Sequence, residues 1–138
     1  MSSANKSTIL KSFNKLFFDF LDDVLTIYPE NKEIKYAKSQ FEFINRGNPT
    51  IIVKFWKKYV YDPYQAQIDA GNIQFFIEKD YRTDFENSHG EADSYKKILD
   101  MIENVKSIVR DMDDTNRAHA TEYIVNLSKL SVVYTGFV

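Results

Sequence analysis

Side chains with catalytic reach are few. His89 and His119 are the two histidines, and there is no cysteine, so thiolate nucleophiles and thiolate metal sites are absent from the sequence. Glu86-Asn87-Ser88-His89 has the Glu-x-x-His spacing that sets two ligands on one helix face in di-iron carboxylate bundles. Such sites need that motif twice, with two further inward glutamates. Here it occurs once, in a stretch without helical periodicity, and a solvated loop is the reading it supports. His119 and Glu122 stand three apart on the last expected helix, with no second pair to face them. No Gly-x-Ser-x-Gly turn exposes a serine nucleophile, and the four glycines are too dispersed to cradle a phosphate. The 20 acidic residues could supply a carboxylate pair, yet nothing in their spacing selects one. The sequence singles out no catalytic residue, no metal ligand and no cofactor, and binding rather than catalysis is the expectation.

Residues suited to binding are more conspicuous. Lys54, Lys57 and Lys58 surround Trp56, with Tyr59 and Tyr61 beside them, and Lys32, Lys35 and Lys38 form a second basic run. Cations interleaved with aromatics are what single-strand binders use to neutralise phosphate and stack bases. At helical spacing, however, Phe55, Trp56 and Tyr59 point inward. That leaves Lys54, Lys57, Lys58 and Tyr61 on the wet side as an ordinary solvated face. The two runs would make one positive patch if their helices packed side by side. Aromatics are also abundant, with 11 Phe, 9 Tyr and one Trp. Tyr28, Tyr36, Phe43, Tyr61, Tyr64 and Phe137 fall off the main apolar stripes. Interface cores are enriched in such side chains, so these are candidate contact residues, with a wide core or isolated surface tyrosines as the plainer alternative.

The elements that must position them read as helices. Leu10, Phe13, Phe17, Phe20, Leu21 and Val24 recur at three- and four-residue steps over about 7–28, and Pro29 ends that segment. Ile34, Ala37, Phe41 and Ile44 give a second helix over about 31–46, closed by a left-handed Gly47. Asn48-Pro49 reads as a cap with proline at the first helical position, ahead of Ile52, Phe55, Trp56 and Tyr59. Asp62-Pro63 repeats the device for a short helix that stops at Gly71, and Asn72 caps another carrying Ile73, Phe76 and Ile77. Residues 80–90 lose the pattern and read as a mobile loop; residues 1–6 read as a flexible start. Tyr95, Ile98, Ile102, Val105, Val109 and Met112 give the clearest helix. Asp113-Asp114-Thr115 caps the last one, which carries Tyr123, Ile124, Leu127, Leu130 and Tyr134 up to Gly136. The expectation is a single all-α domain over 1–138, a compact bundle of five to six helices ending in an antiparallel helical hairpin. Residues 132–137 are the one stretch where a terminal strand could hide.

Composition sets the limits. The 138 residues suit one domain, and aromatics that each bury about 150–250 Å² make a core without disulfides. A net charge of −2 argues against a general nucleic-acid coat, which needs a basic excess. No apolar run approaches the ~20 residues of a membrane span, and MSSANKST lacks the basic-then-apolar order of a secretory signal.

The segments NPT at 48–50, Trp56–Tyr59, DPY at 62–64, FFIEKDY at 75–81 and YIVNLSKLSVVY at 123–134 resemble small proteins of large nucleocytoplasmic DNA viruses, including those that infect algae. The likeness spans roughly residues 13–134 and brings no catalytic residues with it. It implies a virus-encoded protein acting in the cytoplasm or nucleus of an infected cell, or in the virion. The Asn-Trp-Gly-Arg signature of viral anti-apoptotic bundles is missing around Trp56. The expected role is therefore a non-catalytic structural, assembly or interaction protein that binds a protein partner or itself. The alternative is a nucleic-acid-associated accessory of viral replication or transcription.

Overall fold

Helix α1 (Ser3–Ile27) follows from its phenylalanine stripe: Phe13, Phe17, Phe20, Leu21 and Val24 are all buried. The computed structural model describes residues 3–78 and 93–136, and every element among them is helical. The expected loop at 80–90, with His89, lies outside the described residues. Beyond Pro29 the chain restarts at Asn31, whose Oδ1 accepts the Ile34 N–H at 2.9 Å. This is the side-chain cap that a helix start needs for one of its orphan donors. Helix α2 (Lys32–Gly47) then seats Ile34, Ala37 and Phe41 in the core.

Three boundaries differ from the expectation, two of them around Gly47 and the third at Asp62-Pro63. Gly47 is the last residue of α2 and does not take a left-handed conformation; Asn48, extended at φ −152°, donates its N–H to the Ile44 carbonyl at 2.9 Å and closes the helix instead. The Asn48 side chain is turned to the following backbone, accepting from the Thr50 N–H at 3.1 Å and the Thr50 hydroxyl at 2.9 Å. The Asn-Pro pair thus makes a turn, and α3 (Ile51–Phe55) begins beyond it. The glycine that needs its conformational freedom is Gly71, at φ +75°, a region that costs residues with a Cβ atom.

From α3 the helix widens into a π segment over Trp56–Tyr61, where the Asp62 N–H reaches back five residues to the Lys57 carbonyl. It then tightens into a 3-10 turn over Asp62–Tyr64 and continues as α4 (Gln65–Asp69). Asp62 is itself helical and its carboxylate is held by Lys57, so the expected cap and restart at Asp62-Pro63 does not occur and the chain winds on without a break. The wider winding corrects the placement of Tyr61. Plain α spacing leaves it in solvent, whereas in the structure it is 8% exposed, and its hydroxyl donates to the Asp69 carboxylate at 2.9–3.0 Å. Burial, then the hydrogen bond to Asp69, push this phenol's pKa up. Helix α5 (Ile73–Glu78) is capped by Asn72, which accepts the Phe75 N–H at 3.3 Å.

Helix α6 (Asp93–Arg110) buries Ile98, Ile102, Val105 and Val109 as their spacing requires. Asp113 caps α7 (Asp114–Gly136) by accepting the Asn116 N–H at 2.8 Å. Residues 132–136 are helical, so no strand occurs there. The C-terminal hairpin is not the main packing. Helix α7 runs antiparallel along α1, tied by Phe20 against Tyr123 and by the Tyr123 hydroxyl on Asp23. The apolar side of α6 is shared with α2 and α5, and α7 covers the phenylalanine stripe of α1.

The elements meet at an aromatic cluster. Phe17 of α1 packs edge-on to Phe41 of α2 with centroids 4.8 Å apart, and Trp56 lies edge-on to Phe13 and Phe17 at 6.3 and 6.4 Å. The Trp56 indole N–H donates to Ser128 Oγ of α7 at 2.9 Å, fully inside the protein. A truncation here leaves a hole the neighbours cannot close. Phe41→Ala is expected to lower unfolding free energy by about 3–5 kcal/mol in urea titration. Phe43→Ala, two residues away but on the outer face, is expected to stay within about 0.5 kcal/mol.

Candidate interaction surface

Helix α2 has two unlike sides. Opposite its buried stripe, Tyr36 and Phe43 stand 58% and 66% exposed. They are seven residues apart, so two helical turns place them about 10 Å apart on one face. Lys32, Lys35, Ser39 and Arg46 flank them and are exposed, as are Glu33 and Glu42; Glu42 and Arg46 also line a recess toward α1 with Lys38 and Asp22. Large apolar side chains left in water in register on one helix differ from the isolated exposed residue that every surface carries.

The other expected residues are distributed differently. Lys38 leaves the basic run to reach Asp22 of α1 at 2.6 Å, a hydrogen bond that raises its pKa. Lys57 is paired with Asp62, and Lys58 lies 5.3 Å from the centroid of the Tyr59 ring. Lys54 is exposed. The sequence therefore overstates the cationic character of both runs, because it does not show which carboxylates fold back onto them. Tyr28 is half-buried against the core and Tyr61 is interior. Phe137 and the side chain of Tyr64 lie outside the described residues.

A second feature is a cleft of about 190 Å³ where the C-terminal end of α1 meets the start of α7. Phe20, Val24 and Met112 form its floor, with Ile27 (36% exposed), Asn116 and His119 at the mouth. Asp23, His119 and Tyr123 also line a neighbouring recess of about 180 Å³ that includes Glu122, and the Tyr123 hydroxyl donates to Asp23. Burial, the hydrogen bond to Asp23 and the negative charges of Asp23, Asp19 and Asp22 push the Tyr123 phenol up to about 12. His119 and Glu122 thus share a surface depression, and among the described residues no three His, Asp or Glu side chains converge as metal ligands.

Helical reading missed one buried charge. Lys106 is 2% exposed and lies on the apolar side of α6, its ammonium 2.7 Å from the Glu103 carboxylate, which is itself 9% exposed. Its position four after Ile102 and three before Val109 was the available signal. The interior void it borders is about 20 Å³ and otherwise lined by apolar side chains, space for about one water. Ser128 and Ser131 also face inward, their hydroxyls satisfied by the Ile124 and Ser128 carbonyls at 2.9 and 2.7 Å, while Val132 and Val133 face out.

No protein-family model matches the chain, and no curated protein or solved structure matches it.

Two measurements follow from this geometry. Lys106→Met leaves the Glu103 carboxylate buried and is expected to cost about 3–5 kcal/mol by urea unfolding; adding Glu103→Leu is expected to recover most of that loss. For Tyr123, the raised folded-state pKa contributes stability that is complete below the ordinary phenol value of 10 and is lost as pH rises through about 12. The stability difference between the wild type and Tyr123→Phe is therefore expected to narrow across that window.

Proposed function

We propose that the protein is a non-catalytic assembly or interaction protein working through the outer face of α2, in the virus-encoded setting that the sequence resemblance implies. One observation carries the reading: Tyr36 and Phe43 project into solvent from a helix whose opposite face is already seated in the core. Covering two such rings removes apolar area from water, and aromatic side chains with a nearby arginine are typical anchors of protein contacts.

The nucleic-acid reading keeps a specific footing, because Lys32, Lys35 and Arg46 are exposed beside those rings. It differs in its salt response. Binding to a single-stranded oligonucleotide at low salt that weakens tenfold or more at moderate salt supports it; absence of binding at low salt removes it.

The assembly reading is tested by light scattering over a concentration series. The expected result is an average mass rising above the 16.2 kDa of one chain, with the rise reduced by Tyr36→Ser. A mass fixed at one chain at every concentration overturns it.

A further inference from the structure

The outer face of α2 presents an exposed ring with a small excess of cations, and the α1–α7 cleft presents an apolar recess with an excess of carboxylates. Phe43 is a ring 66% exposed, with exposed Lys32, Lys35 and Arg46 on the same helix outnumbering exposed Glu33 and Glu42. The cleft offers an apolar floor of Phe20, Val24 and Met112 and a volume of about 190 Å³. An apolar cavity of about 150 Å³ already admits a benzene ring, so there is room for one phenyl group. Its surroundings are acidic. Asp23 and Glu122 line the recesses, and exposed Asp111, Asp113 and Asp114 bracket Met112 at the α6–α7 turn. The neighbouring cation, Arg117, reaches the Met112 carbonyl at 2.8 Å and lies 3.9 Å from the Asp114 carboxylate, which leaves Asp23, Glu122, Asp111 and Asp113 as the larger part of the acidic rim. Phe43 is not among the residues lining the cleft of its own chain.

We infer that Phe43 of one chain inserts into the α1–α7 cleft of a second copy, with the cations of α2 against that copy's acidic rim. The inference rests on the assembly reading and names its partner. Knob and hole are different surfaces, so the contact is heterologous: each copy that fills a cleft still presents an empty one. Such a contact builds open chains rather than a closed dimer. A single ring in a shallow cleft buries less than the roughly 800 Å² per partner of a stable interface, so assembly is concentration-dependent and weakens with salt.

The test uses two variants in the full chain, each confirmed as folded by circular dichroism. Phe43→Asp removes the knob and leaves the cleft intact. Ile27→Arg puts a bulky cation at the mouth of the cleft and leaves the knob; His119→Trp, at an exposed position on the opposite wall, serves if that variant fails to fold. In sedimentation velocity each variant alone is expected to remain a single chain at concentrations where the wild type grows beyond dimers. An equimolar mixture is expected to form a one-to-one dimer that grows no further, because one intact knob meets one intact cleft. A mixture that stays monomeric overturns the inference, as does a wild type that associates while neither variant impairs it; the second result leaves the assembly reading standing. A wild type that never exceeds one chain removes both, and oligonucleotide binding by that monomer assigns the α2 face to nucleic acid.

Discussion

The indole of Trp56 is buried where α1, the π segment and α7 meet, so its packing and its one N–H bind those three elements to a single arrangement. Its ring is wedged against Phe13 and Phe17 of α1, and its N–H is satisfied by Ser128 of α7. An indole N–H left without a partner inside a protein is costly, so the serine fixes how far α7 slides along α1. Ser128 passes its own hydrogen to the Ile124 carbonyl. The small serines also let the backbone of α7 come close to the bulky aromatics, while Val132 and Val133 are displaced to the outside.

Much of this was legible in the residues. The stripes on α1, α2 and α6 specify their helices, and Asn72 and Asp113 cap as expected, whereas Asn48 and Asp62, read by the same rule, do not. What was not legible depends on partners remote in sequence. The π segment arises where Ile51–Tyr61 presents more bulky side chains than an α stripe can bury on one side; it turns Tyr61 inward, and no local spacing rule distinguishes it from continued α-helix. Likewise, α7 reads as the partner of α6 because they are adjacent in the chain, yet it packs mainly along the phenylalanine stripe of α1. The inward serines were hidden because polarity alone assigns them to the outside.

The candidate surface divides in the same way. Tyr36 and Phe43 were recognisable as off-stripe aromatics, and both are exposed. Tyr61 was off-stripe by the same criterion and is interior. The basic runs were visible as composition, but Asp22 and Asp62 draw Lys38 and Lys57 aside, an outcome set by tertiary packing. The cleft between α1 and α7 has no sequence signature: it exists because two helix ends diverge there, and it enters view only once their pairing is known.

The Trp56–Ser128 hydrogen bond is the claim on which helix pairing, cleft and outer face all rest. Native-state hydrogen exchange of the Trp56 indole N–H, followed by NMR, tests it most directly. Protection comparable to the slowest backbone amides of α1 and α7, with exchange through global unfolding, is the expected result. Exchange at the rate of a solvent-exposed indole would contradict it.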